Sequence, residues 1–463
     1  MSNEAIDQYT GPNPRGGDAP PAPSDALPTM HRRLGPTEAI YYLLDQLYCL
    51  NFVVFAEISG PMDGTALHRA LHMAQREHPL LRTGIDLVRG HPCFKAVPMD
   101  RAPLKVQVAA LRNWRHTMTA QLNTPFDDRA PLARCFWFCD GAEKSVVAMV
   151  FHHCIADGKS GTQVLIDVLK RAAGEDLSER LQPAHPSAQD LDLIKHKSVV
   201  DSSVQKLKYW LGQGKAALLF AQQIPGYDMG LRSERDIRAI PFSIAKATGQ
   251  ALLAQCRAKG TTVHGALGAA QILALNAEFD APGARHLALT SLSDLRGILS
   301  TKLTAEDLGL YIATITTVHA VSVEPQFWPL AVDLRKQLAR VLSSGDANLV
   351  HTIYPQAPLI APNKRSANWV QSAVSLAPPS SMLTNIGRLD AVKLANGACI
   401  RSIAFAVSPP AQHPICVTVA TYDDRMHLNL LYDQTKLSTP QARRVVNSLI
   451  RFITTAAQGH DGA

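Results

Sequence analysis

Residues 145–151 (SVVAMVF) are apolar at six of seven positions, and the run leads straight into His152-His153-Cys154-Ile155-Ala156-Asp157-Gly158. Beyond it Val164, Leu165, Val168 and Leu169 recur at helical spacing, which predicts a helix over 160–173. A strand without a polar face must be covered on both sides, so this segment commits the chain to helices layered on a sheet. Residues 51–58 (NFVVFAEI) read as a second buried strand, and 133–139 as a third. Helices fit 37–48, with Pro36 in the first turn, 63–77, stopped by Pro79, and 111–122. The second half repeats the mixture. Helices fit 244–259, 263–276, 328–342 and 438–455, the last capped by Ser438 or Thr439 with Pro440 in its first turn. Strands fit 286–291, 310–321, 400–407, 415–422 and 426–432. From 174 to 200 charges and prolines replace any sustained period, which marks a boundary. The expected organisation is a flexible tail (1–30), a first α/β subdomain (31–175), a linker with a connecting helix (176–230) and a second α/β subdomain (231–463).

The tail follows from composition. Its 30 residues hold six prolines, three glycines and scarcely any apolar run, too little to offset the entropy of ordering. The rest, in a chain of 463 residues that is 46% hydrophobic and 18% charged, has ample material for a core. No stretch approaches the roughly 18 apolar residues of a membrane span, and the first 30 residues lack a signal peptide's basic and apolar regions. A cytoplasmic monomer is the expectation. Four acidic residues (Glu4, Asp7, Asp18, Asp25) against Arg15 give the tail −3 of the chain's +7, so residues 31–463 carry +10. That sign suits an acidic partner such as a phosphorylated cofactor or an acidic carrier domain. Without a Lys/Arg-rich cluster or basic residues interleaved with aromatics, nucleic acid is not expected. The eight cysteines are too scattered for a disulfide framework. Cys135 and Cys139 share a strand face, but no second Cys/His pair follows at ligand spacing, so no metal site is expected.

Two adjacent histidines leaving a buried strand place ionisable groups at an element end, where a rigid scaffold can aim them into a cleft. Neighbouring strand residues point to opposite faces, so only one imidazole can face that cleft. A neutral imidazole can take a proton from an attacking hydroxyl or amine near neutral pH. Asp157 could orient a histidine or hold the loop, and Gly158 permits a left-handed or closely approached backbone. The same residues also read as a hydrogen-bonded structural pair followed by an Asp-Gly turn. Cys154 as a nucleophile is disfavoured, because consecutive residues on an extended segment diverge. Neither GxSxG, nor a Walker loop, nor GxGxxG after a strand occurs.

HHCIADG resembles the HHxxxDG motif of the acyltransferase superfamily that contains nonribosomal peptide synthetase condensation domains, chloramphenicol acetyltransferase, plant BAHD enzymes, wax ester synthases and polyketide-associated acyltransferases. Other segments follow in the family's order. REHPLLRTGI (76–85) is similar to its R-H-x-x-L-R-T segment, and TPFDDRAPLARCFWF (124–138) to the P-F-D…P-L-x-R strand before the motif. TTVHGALGAAQILAL (261–275) resembles the helix opening the second half, while SDLRG (293–297), LGLYIA (308–313) and TNIGRLD (384–390) stand where the family has N/D-x-R, G-x-Y/F and S-N-x-G. The resemblance runs from about 34 to 456, apart from 174–200. It implies two chloramphenicol-acetyltransferase-like subdomains in a V-shaped pseudo-dimer with a channel between them.

By the same resemblance His153 is the catalytic histidine, as base or as a group positioning the nucleophile. Asp157 turns away from the channel to pair with Arg296, both structural, and the Gly158 N–H lies near the developing oxyanion. His152, Ser160 and Asn385 are further candidates for the channel wall; Ser160 reads equally as an N-cap and Asn385 as a structural amide. Lys159 reads as solvated, and Tyr311 and Trp369 as core. The implied reaction moves an acyl group from a phosphopantetheine thioester to a small-molecule alcohol or amine, with no bound cofactor. The donor would come in trans on an acyl or peptidyl carrier protein, or as acyl-CoA. The chain lacks the DFGWG of BAHD enzymes and the DxxxxD of heterocyclisation domains. An acyl-CoA-dependent alcohol acyltransferase and a non-catalytic recruitment module are the alternative readings.

Overall fold

The structure, a computed structural model, describes residues 27–191 (less 142 and 189), 235–344 (less 280–284, 300 and 325), 359–374 and 380–461 (less 414). The tail to residue 26 and most of the expected linker, including its connecting helix, lie outside the described residues. Residues 27–30 belong to the folded body, since Met30 is buried and the Pro28 carbonyl accepts a 2.7 Å bond from Arg82.

Two large sheets carry the fold, one in each half. The first half contributes β2 (Asn51–Ser59), β5 (Val106–Ala110), β6 (Ala133–Cys139) and β7 (Lys144–His152), with helices α1 (Pro36–Asp45), α2 (Gly64–Glu77), α3 (Trp114–Gln121) and α4 (Gly158–Ala172). A small sheet of β1 (Arg32–Arg33), β3 (Thr83–Val88) and β4 (His91–Ala96) stands beside them. β7 is buried along its whole length after Lys144, as its composition requires, and pairs antiparallel with β2 and β6. Asp63 caps α2, accepting from the amides of Thr65 and Ala66, and α2 packs beside α4.

The second half holds β8 (Ile237–Ile244), β9 (Arg285–Asp294), β10 (Ile312–Val321), β11 (Ser380–Leu389), β12 (Cys399–Val407), β13 (Ile415–Tyr422) and β14 (Arg425–Asp433). Its helices are α5 (Lys246–Ala258), α6 (Val263–Glu278), α7 (Phe327–Ser344), α8 (Lys364–Val374) and α9 (Thr439–Ala457). The six-stranded sheet runs β10-β9-β11-β13-β14-β8, with β11 parallel to both neighbours. α6 is buried almost all round, which fits a helix packed between α7 and α9. Ser438 caps α9 as expected.

Two differences from the sequence reading have physical causes. β8 has no counterpart among the expected elements, and the helix expected from Ile244 begins at Lys246, Ile244 being the last residue of the strand. Pro241 and half-exposed alternation mask that edge strand. Further, β12 does not join the second sheet. It pairs antiparallel with β2, so the first sheet reads β12-β2-β7-β6-β5 and is completed by a strand from the other half. The Phe405 carbonyl on β12 then accepts from Thr418 on β13 (2.6 Å) and Asn429 on β14 (2.9 Å), tying the two sheets together. The chain thus has the expected mixed α/β class with two subdomains, but their division does not follow sequence position.

Candidate active site between the two sheets

β7 ends at His152, and the chain turns through 153–157 into α4. The two histidines leave the strand on opposite sides. His152 is fully buried; its Nδ1 accepts the Cys154 amide at 3.1 Å, which places its proton on Nε2, 3.4 Å from Asp45 Oδ2. Burial opposes a charge on this ring, while Cys154 and Asp45 raise its pKa. It is a structural residue and does not reach the pocket, contrary to its candidacy for the channel wall.

His153 is 5% exposed, with its ring tilted against Tyr41 (centroids 4.6 Å apart) and Phe52 (5.1 Å). Its Nδ1 is enclosed, and the ring lines the pocket. Burial pushes its pKa down to about 4, so the ring is neutral at physiological pH. The pocket lies where the sheets meet. Phe52 of β2 and Phe405 and Val407 of β12 line one side; Leu292, Ile312 and the Thr384-Asn385-Ile386 stretch of β11 line the other. Its volume is about 50 Å³, room for a few water molecules.

Asp157 is the N-cap of α4. Oδ1 accepts from the amides of Lys159 (3.1 Å) and Ser160 (3.0 Å), and Oδ2 from Arg296 (2.8 Å) and the Tyr311 amide (3.0 Å). With both oxygens occupied, this carboxylate bolts the start of α4 to the second half and is not available to a substrate. Arg296 also reaches Asp294 (3.1 Å) and the Asp307 carbonyl (3.2 Å), and lies over the Tyr311 ring. Ser160 is fully buried at the third helical position. Its Oγ accepts the Asp157 amide (3.4 Å), which closes a capping box, and faces Asp157 Oδ1 (3.1 Å) and the Gly309 carbonyl (3.2 Å), so it supports the Asp157 cap and does not line the pocket. The cap leaves the Gly158 amide free at the helix N-terminus, where the macrodipole favours negative charge. Gly158 is needed for space rather than for backbone angle: a Cβ there would stand 2.9 Å from Ile386 Cγ2.

Asn385 lines the pocket, and its Oδ1 accepts the Gly387 amide at 2.8 Å. Gly387, at φ +88°, sits at a register shift in β11 that only glycine adopts readily. Lys159 is not solvated alone; its Nζ is 2.9 Å from Asp294 Oδ2. Against burial, Lys159 and Arg296 hold the Asp294 carboxyl below its ordinary range. Tyr311 is core, but Trp369 is 58% exposed on α8. His153, Asp157, Gly158, Arg296 and Asn385 therefore converge on one pocket. No group of three His, Cys, Asp or Glu side chains among the described residues is placed to hold a metal, and no helix among them is long and apolar enough to cross a membrane.

The comparisons match this geometry. Residues 237–431 match the family described as "Phthiocerol/phthiodiolone dimycocerosyl transferase C-terminus". A nonribosomal peptide synthetase, kk1B of Curvularia clavata, is 26% identical over 274 residues, 54% of this chain. The chain spans only a small part of its curated relatives, 2% of that synthetase and 6% of the antimetabolite synthetase AmbE of Pseudomonas aeruginosa. Trichothecene 15-O-acetyltransferase of Fusarium sporotrichioides superposes with a TM-score of 0.69 at 14% identity, covering 93% of this chain and 99% of that one. Polyketide synthase associated protein 5 of Mycobacterium tuberculosis gives 0.63 at 13% identity, with the same coverage. The chain has the fold shared by these acyltransferases and condensation domains, and its second half matches the acyltransferase family model.

Several residues at or near the pocket carry no sequence signal of their own. Phe52, Phe405, Val407 and Ile386 are ordinary apolar strand residues, and only the crossing of β12 brings two of them to His153. Tyr41 on α1 is likewise a plain helix residue until α1 packs against the motif loop.

Proposed function

We propose that this chain transfers an acyl group from a phosphopantetheine thioester to a small-molecule hydroxyl or amine, as a condensation-type acyltransferase of polyketide or nonribosomal peptide biosynthesis. The observation that carries the reading is a neutral, buried His153 at the seam of the two halves, beside an uncapped helix-terminal amide. His153 Nε2 accepts the proton of the acceptor O–H or N–H as that atom attacks the thioester carbon. The carbonyl oxygen gains the negative charge, and the Gly158 amide at the α4 terminus stabilises it. The intermediate collapses with cleavage of the C–S bond, and the proton held on His153 passes to the leaving sulfur, giving free thiol and restoring the neutral ring. Asp157 and Arg296 keep α4 in register for this step and do not touch the reacting atoms.

A donor carried on an acyl or peptidyl carrier protein is favoured over free acyl-CoA, because the relatives are synthetases and the body of the chain is basic. The test is an intact-mass assay with acyl groups on CoA and on carrier protein, each offered with pooled alcohols and amines, for the parent protein and His153→Ala. Transfer lost in the variant supports the reading, and the better donor form decides the partner. Transfer indifferent to His153, or none with any pair, sinks it in favour of a recruitment module.

A further inference from the structure

A second, much larger cavity abuts the catalytic pocket. It holds about 660 Å³ between one face of α4 (Thr162, Gln163, Ile166, Lys170) and the end of β11 (Arg388) with the segment after it (Val392, Lys393). Residues 159 to 170 of α4 make this groove about 16 Å long at 1.5 Å per residue, the shape of an extended arm rather than a compact head group. Lys159 and Ile386 line both cavities, so they form the wall between the groove and His153. An ion pair stands in this wall: Lys159, at the start of α4, meets Asp294, at the end of β9, at 2.9 Å. Both side chains are partly open to water, 40% and 26% exposed. Ile386 packs against Gly158 beside it. The space over His153 is small beside the groove, about 50 Å³ against about 660 Å³.

We propose that Lys159 is a specificity-determining residue, whose ion pair with Asp294 gates passage from the groove to His153 and so selects donors by the width of their acyl group. The inference rests on the acyl-transfer reading for its substrate, but not for its geometry. Asp294 keeps its bond to Arg296 when Lys159 swings away, so opening leaves no bare buried carboxylate and the Asp157–Arg296 bolt stays shut. A half-exposed pair contributes little stability, which lets the open form be populated. The pair is also screened by salt, so the gate loosens as ionic strength rises.

Two measurements on the full chain and on Lys159→Met, which keeps the stem and removes the charge, test this. The first is independent of activity: the rate at which diethyl pyrocarbonate carbethoxylates His153 at neutral pH, followed by peptide mass spectrometry, with exposed His68 and His116 as internal references. The variant is expected to react about two- to fivefold faster at His153 at low salt, the range such a pair can supply. The parent should approach it at high salt, and the reference histidines should not change. Equal His153 rates in the two proteins overturn the gate. The second compares kcat/KM for acetyl and for long or branched acyl donors: the variant should gain about two- to fivefold for the wide donors and nothing for acetyl. An equal change for all donors assigns Lys159 to stability alone and overturns the proposal. Gated modification of His153 without acyl transfer to any acceptor would keep the gate and remove the proposed reaction instead.

Discussion

His153 has the burial of a core residue and the position of a functional one. Its neutral form is stabilised by desolvation, against which its own loop offers little, so in the folded protein it titrates at about 4 instead of 6.5. If it accepts the acceptor's proton, kcat/KM is level from about pH 8 down to about pH 5 and falls only as the pH drops through about 4, when the ring is already protonated. Initial rates after a short pH jump check this; an inflection near 6.5 would mean that an ordinary, exposed histidine carries the step. His153→Ala should lower kcat by roughly 10²–10⁴-fold, the usual weight of a general base, with an unchanged fold by circular dichroism. Sequence alone could go as far as saying that one of the two histidines faces the cleft. Which of them does so was legible only by resemblance, because alternation gives opposite faces without saying where the cleft lies. Only packing shows His152 turned to Asp45 and His153 to the seam.

At the scale of elements, the start of α4 is the part on which both halves depend. Asp157 spends its side chain on two helix amides and on Arg296 and Tyr311 across the seam. Arg296→Met strips a buried carboxylate of its partner and should cost about 3–5 kcal/mol in urea unfolding, whereas Lys159→Met should cost under about 1 kcal/mol, since its pair is half exposed. Similar costs for the two variants would show that Arg296 does not hold the seam. Gly158→Ala should cost about 1–3 kcal/mol through overpacking against Ile386, and much less when it is added to Ile386→Ala, which removes the clashing atom. A double variant less stable than the sum of the singles would place the strain elsewhere. Helices and buried strands of this kind were legible because their periods are long and their caps plain, as at Asp63 and Ser438. At Ser160 the cap reading holds in part: Asp157, three residues earlier, is the N-cap because its carboxylate takes two amides at once, and Ser160 completes the capping box from the third helical position.

For the whole molecule, what the sequence could not disclose is where β12 goes. Alternation in 400–407 predicts a strand, but pairing partners are set by the path of the chain in three dimensions, and nothing local distinguishes β2 from β13 as its neighbour. Histidines with shifted titration lie in both of the halves that β12 joins. His78 and His153 are buried and held at about 4, half-buried His264 likewise, and burial lowers His427 as well; His152, raised, runs the other way. Unfolded, each returns to about 6.5 and takes up a proton more readily. The stability from the lowered groups is therefore complete above about 6.5 and is lost as the pH falls toward 4, so the urea midpoint should drop between pH 7 and pH 5. A flat midpoint over that window would mean that these rings are protonated in the native state. The same interdependence bears on dissection. A chain ending at residue 191 keeps every strand of the first sheet except β12, and leaves the long, apolar edge of β2 unpaired where Phe52, Val54 and Ala56 had met Val407, Phe405 and Ile403. Exposed apolar edges recruit other chains, so this fragment should be insoluble or aggregated on its own. Supplying residues 235–461 in the same cell should restore a soluble complex, because that piece brings β12 together with the Thr418 and Asn429 contacts that anchor it. A monomeric, cooperatively unfolding fragment 1–191 would show instead that the first half closes its sheet without help, and that β12 joins two finished domains rather than completing one.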